Sequence, residues 1–196
     1  MDLDAILNKE QAEAVRRTEG PLLVLAGAGS GKTRVLTHRI AYLIQEKGVF
    51  PSHILAITFT NKAAAEMRER VEKLLPGEGN SVWVSTFHSM CLRILRREIE
   101  HLSYGRDFSI YDTDDQRTLM RQILKELNID SKTLRERAVL SQISQTKNRG
   151  GNAEDYLSES DGDYLSKLIY QCFKRYEEKL KENNALDFDD LLLKTL

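Results

Sequence analysis

The sequence predicts an α/β fold, a phosphate-loop domain on a parallel sheet carrying an inserted all-helical subdomain. Three observations predict it. Residues 1–100 alternate short apolar runs with amphipathic stretches three times, the order that yields strand–helix–strand units with right-handed crossovers. The turn after the first run reads Ala26-Gly27-Ala28-Gly29-Ser30-Gly31-Lys32-Thr33, a phosphate loop between strand and helix. From residue 112 to 183 the periodicity is helical throughout, with one weak patch at Gly150-Gly151-Asn152.

The elements follow in order. Asn8 and Gln11 open a short helix to Arg17, which Gly20-Pro21 ends. Residues 22–26 form an unbroken apolar run, as expected of a strand buried on both faces. The helix after the phosphate loop carries Val35, Leu36, Ile40, Leu43 and Ile44 on one face, and Gly48 and Pro51 end it. Residues 54–59 are a second buried strand. Asn61 caps a helix through about Leu75, broken by Pro76-Gly77. Val82-Trp83-Val84 is a third strand, and Thr86 caps a helix reaching about His101. Tyr164, Leu168, Tyr170, Phe173, Tyr176 and Leu180 form the apolar stripe of a long helix. Asn183-Asn184 ends it, and residues 186–191 begin another, still unfinished at Leu196. That ending reads as a cut.

Composition narrows the class. With 41% hydrophobic and 30% charged residues, the chain falls outside the disordered and fibrous classes. A net charge of −1 does not demand a nucleic-acid partner, so any basic surface must be local. No apolar run approaches the ~20 residues of a membrane span, and the acidic start Met1-Asp2-Leu3-Asp4 has no signal-peptide pattern. Cys91 and Cys172 lack paired spacing and read as buried thiols, so a cytoplasmic location is expected.

In the phosphate loop, small residues let backbone N–H groups converge on an anion, and the following helix adds its positive end. Lys32 would meet the β- and γ-phosphates, and the Thr33 hydroxyl would ligate Mg²⁺. Ala26 stands where the pattern has its first Gly, but keeps the turn small. The loop alone specifies a nucleotide binder of any kind.

Three further segments narrow the class. The Gln11 amide offers a donor and an acceptor to an adenine edge; equally, Asn8 and Gln11 make a capping box. Phe59 and Asn61 follow the second strand, at the edge where ligands of open α/β sheets collect. Phe59 there is a stacking ring or a core residue, and Asn61 a phosphate contact or a cap. Thr86 and His88 follow the third strand in the equivalent place, and His88 is a strand-edge contact or a structural histidine.

The chain resembles the superfamily 1A DNA helicases, the UvrD/Rep/PcrA family. LNKEQAEAV resembles their adenine-reading Q motif, AGAGSGKTRVL motif I, ITFTNKAAAEM motif Ia, VSTFHSMCLRIL motif Ib, and LDFDDLL the segment returning from the helical subdomain. The matches keep the family's order and cover nearly the whole chain. The resemblance implies a partial RecA-like subdomain 1A over 1–100, a helical subdomain 1B over 101–185, and a return into 1A over 186–196. It implies ATP and Mg²⁺ as ligands, held by Gln11, Ala26, Gly27, Ala28, Gly29, Ser30, Gly31, Lys32, Thr33 and Arg34, the last near the base. It sets Phe59, Asn61, Thr86, His88 and Phe188 along a single-stranded DNA track and brings the helical region to duplex DNA.

The family continues to a strand ending in Asp-Glu and to a second RecA-like half with arginine fingers. This sequence contains neither, and Asp189-Asp190, opening a helix, is no substitute. An arginine finger is worth ~10³–10⁵ in rate in related enzymes, so the chain alone is expected to bind nucleotide as a monomer without unwinding DNA. The alternatives are a metabolite kinase, for which the segments around Phe59 and His88 have no use, a non-catalytic binding module, and a helicase-nuclease sharing the same motifs.

Overall fold

The computed structural model describes residues 1–130 and 132–196. The chain forms a mostly helical α/β protein with two small parallel sheets, divided into two compact units, Met1–Phe87 and His88–Leu196.

The first unit begins with α1 (Leu3–Ile6) and α2 (Lys9–Arg16). A capping box joins Asn8 to Gln11 at the start of α2, each side chain accepting from the other's backbone N–H. Ala12 and Val15 then bury against Val35 of α3 (Lys32–Gln45). The chain continues through β1 (Leu55–Thr58), α4 (Asn61–Leu74) and β2 (Trp83–Thr86). The two strands pair in parallel, Leu55 opposite Trp83 and Thr58 opposite Thr86, as the βαβ pattern predicts. Ile40 and Ile44 of α3 and Met67 and Val71 of α4 pack with Val84 in one core cluster. Each such side chain contributes roughly 1.5–3 kcal/mol when fully buried.

Three sequence expectations fail in this unit. Residues 22–26 form no strand: Leu23 is 80% exposed and Leu25 86%. A strand exists only by pairing its backbone with a neighbour, and none of the described residues pairs with this run. The second strand is half-buried instead, Leu55 exposed and the other three residues of β1 intermediate. The cap of α4 is Thr60, whose hydroxyl accepts from the Ala63 N–H; Asn61 is already helical.

The second unit contains α5 (Phe87–Glu98, from the last residue of the first unit), β3 (Ser109–Ile110), α6 (Thr113–Glu126), α7 (Glu136–Asn148), α8 (Ala153–Glu159), α9 (Tyr164–Glu182), β4 (Ala185–Leu186) and α10 (Phe188–Leu193). Cys91 and Leu95 of α5 and Ile99 just beyond its end lie four residues apart along one face, buried with Phe108, Leu186 and Leu191. Met120 and Ile123 of α6, Ile143 of α7, and Phe173, Tyr176 and Leu180 of α9 form the larger core. Tyr164, counted in the sequence stripe, lies outside it at 73% exposure.

Asn152 caps α8 after the expected Gly150-Gly151 break. The breaks after α6 and α8 leave no signal in the periodicity. Asn184, at φ 47°, turns the chain out of α9, and its Oδ1 accepts from the Gly105 N–H at 2.8 Å. That turn aligns β4 with β3 in parallel. The last helix does not run to residue 196: α10 ends at Leu193, where the Lys194 N–H bonds back to Asp190 and Leu192.

Candidate nucleotide site and strand-end aromatics

The phosphate loop lies exposed between residue 26 and the first turn of α3. Gly29 and Gly31 adopt φ +77° and +84°, left-handed values that disfavour side chains. A Cβ on Gly31 would also come within 2.8 Å of Gln11 Nε2. With Gly31 as its N-cap, α3 begins with no side chain capping its first N–H groups, which leaves them to an anion. The Lys32 ammonium donates to the carbonyls of Ala26 at 3.1 Å and Gly27 at 2.7 Å, holding the positive charge over the loop. Thr33 is half-buried at the second helical position. The loop is braced internally by the Ser30 hydroxyl, which donates to Gly27 O at 2.8 Å. Ala28 completes the exposed turn.

Gln11 is engaged twice. Its Oε1 accepts from the Asn8 N–H at 3.2 Å, and its Nε2 donates to Ser30 O at 2.9 Å. The capping box therefore forms, and the same amide reaches the phosphate loop. A cavity of about 590 Å³ opens beside it, lined by Gln11, Leu25, Ala26, Ser30, Lys32 and Arg39 among others. That is the size of a small-molecule site. Arg34, expected near the base, does not line this cavity; its guanidinium donates to Ile6 O at 2.8 Å. Arg39, which belongs to no sequence motif, does line it, with its guanidinium donating to Ala14 O at 2.6 Å. The sequence sets Arg39 apart in no way, since α3 also carries Lys32, Arg34 and His38.

Phe59 is no core residue. It lies beyond the end of β1 at 91% exposure, its ring 5.7 Å from that of Phe87, centroid to centroid. Two rings tilted 43° to each other at the C-terminal edge of a parallel pair give an apolar surface to solvent. Phe87 was legible only as part of its segment. Asn61 is exposed in the first turn of α4, whereas Thr86 is buried in β2. In the second unit, exposed His88 meets Phe188 edge-on, the rings 6.0 Å apart at 71°. Among the described residues no cluster of three or more His, Cys, Asp or Glu could hold a metal ion. Any cation here would depend on the Thr33 hydroxyl and on oxygens the nucleotide brings.

A Gly-rich loop at the head of α3 and paired rings at a strand edge are what the first unit presents to solvent. The chain belongs to the UvrD/REP helicase N-terminal domain family, whose description matches residues 7–196. It is 53% identical over 190 residues to the ATP-dependent DNA helicase PcrA of Staphylococcus epidermidis and to that of Bacillus subtilis strain 168. It is 52% identical to the Staphylococcus aureus protein of that name. Each alignment covers 97% of this chain and 26% of the relative, so the chain spans about a quarter of these proteins. No helix among the described residues is long and apolar enough to cross a membrane.

Proposed function

We propose that the chain is the nucleotide-binding N-terminal region of an ATP-dependent DNA helicase that moves on single-stranded DNA and opens duplexes, and that alone it binds nucleotide without unwinding. The observation that carries this reading is the phosphate loop in the same unit as the Phe59–Phe87 ring pair, 91% exposed at Phe59. An ATP-binding metabolite enzyme has no use for solvent-facing rings at that edge; a protein that stacks bases does.

In this reading the unit is the start of a RecA-like subdomain 1A, and the helices α6–α9 form a 1B-like insertion near duplex DNA. Backbone N–H groups of residues 27–33 cradle the phosphates, and Lys32 exchanges its two carbonyl contacts for phosphate oxygens. Thr33 would offer a hydroxyl to Mg²⁺, which would neutralise phosphate charge when bound with ATP. Gln11, hydrogen-bonded to Ser30, links the base end of the site to the phosphate end, and Arg39 adds a cation to the cavity wall. Phe59, Asn61, His88 and Phe188 contact single-stranded DNA; Thr86, buried, supports the strand end beneath.

The deciding experiment is a titration of the chain with fluorescent ATP analogue and with labelled single-stranded oligonucleotide. Micromolar-range nucleotide binding, with weak, salt-sensitive DNA binding and no unwinding, is expected. A chain that binds neither ligand overturns the proposal. Nucleotide binding without DNA binding by the chain, or without single-strand stimulation of a longer protein's ATPase, favours the metabolite-enzyme alternative.

A further inference from the structure

The second unit contains a buried ionic network the nucleotide and DNA readings do not use. Lys147 on α7 is only 3% exposed. Its Nζ lies 2.8 Å from Asp187 Oδ2 and 2.9 Å from Asp190 Oδ1. The Tyr176 hydroxyl of α9 donates to the same Asp187 oxygen at 3.1 Å. The remaining oxygens are also used: Asp187 Oδ1 accepts the Asp190 N–H at 2.8 Å, and Asp190 Oδ2 the Asp187 N–H at 3.3 Å. Lys194 approaches Asp190 from the rim at 3.6 Å. All three helices α7, α9 and α10 meet at this point.

Such a network is a costly way to hold a core. Desolvating a buried ion pair commonly offsets its attraction, and apolar replacements of similar shape are often neutral or stabilising. Its position suggests what it does instead. Asp187 is the N-cap of α10 and Asp190 its third residue. Between them Phe188 leaves the surface at 48% exposure, against the ring of His88. The adjoining Asn148 Nδ2 reaches Asp189 at 3.4 Å. A single-turn helix start with no such anchor would leave the ring free to turn.

We infer that Lys147, with Tyr176, is a positioning residue: it clamps the Asp187–Asp190 helix start to α7 and α9 and so fixes the aim of Phe188 at His88. Because α7 and α9 belong to the helical insertion, a shift of that insertion moves the clamp and with it the aromatic pair. The inference rests on the reading of Phe188 as a DNA-stacking residue.

The test is the 196-residue chain carrying Lys147→Met, Asp187→Asn and Asp190→Asn together. This keeps the shape and, with Asn as good a cap as Asp, the capping hydrogen bonds. Three properties are read: melting temperature, NMR signals of the His88 ring, and affinity for labelled single-stranded DNA. A folded variant is expected, with His88 signals moved toward those of Phe188→Leu as the aromatic contact loosens. DNA affinity should fall about five- to tenfold, within the range of one lost base stack, with little further loss on adding Phe188→Ala. The charge change runs the other way, since losing one positive and two negative charges favours DNA. A folded variant with unmoved His88 signals and unchanged affinity overturns the inference. If Phe188→Ala alone binds DNA normally, the DNA reading of Phe188 falls, while the His88 signals still decide the clamp. Should the triple variant not fold, Tyr176→Phe removes one hydroxyl only, and the same His88 comparison decides.

Discussion

The Gln11 side-chain amide donates to the Ser30 carbonyl across 2.9 Å, tying α2 to the phosphate loop nineteen positions along the chain. The same side chain closes the capping box with Asn8, so one glutamine serves helix start and loop together. Whatever enters the neighbouring cavity meets an amide already held in place. Gln11→Ala should lower the preference for ATP over GTP and cost about 1–3 kcal/mol in ATP affinity, through a polar partner left unpaired. Calorimetric titration with both nucleotides checks it. Equal affinities for ATP and GTP in the wild type would reduce Gln11 to its capping role.

Lys32 is exposed, and its ammonium donates to two loop carbonyls. Lys32→Ala should therefore leave folding intact while removing nucleotide binding. Circular dichroism and fluorescent-nucleotide titration report the two properties separately. Retained affinity in the folded variant sinks the phosphate assignment.

Phe59 contributes little to stability because it buries almost nothing. Phe59→Ala should shift unfolding free energy by less than about 0.5 kcal/mol, as exposed surface changes do. Its cost should appear in single-strand affinity instead, about 1–3 kcal/mol for a lost stack. Denaturant titration and oligonucleotide binding, measured on the same variant, separate the two.

Lys147 makes stability sensitive to alkali. Burial works against its charge, but Asp190 and Asp187 outweigh that and raise its pKa from 10.5 to about 12. A cation with a raised folded pKa contributes stability that is full below its unfolded value and lost as pH rises through its folded one. Burial also raises the Tyr176 and Tyr104 hydroxyls, the latter to about 12, in the same sense. Unfolding midpoints should therefore fall between about pH 10.5 and 12. The fall should be shallower in the variant with Lys147→Met, Asp187→Asn and Asp190→Asn; equal slopes would separate Lys147 from the alkaline loss.

Burial pushes the Cys172 thiol up to about 11, and Cys91 is 3% exposed. Neither should react with a thiol reagent at pH 8 in the native chain: Cys172 is held as the thiol, and the thiolate is the reactive form, while Cys91 is buried away from the reagent. Both should react in denaturant. Rapid labelling of either in the native state would mean local opening of its core.

The succession of β1, α4 and β2, the Gly-rich turn before α3, the Asn8–Gln11 capping box and the Gly150-Gly151 break were determined by the sequence itself, because each depends mainly on neighbours a few positions away. Periodicity likewise marked Phe173, Tyr176 and Leu180 as core. Tertiary structure decided what depends on distant partners. Residues 22–26 have the composition of a buried strand, yet stay unpaired, because pairing requires backbone groups the described chain does not bring to them. Phe59 could be core or surface by its sequence, and the tertiary structure leaves it 91% exposed beyond the end of β1. Lys147 reads as one more helical cation, and its two carboxylates lie 40 and 43 positions away. No local pattern announces that meeting, since it is made by three helices packing at one point.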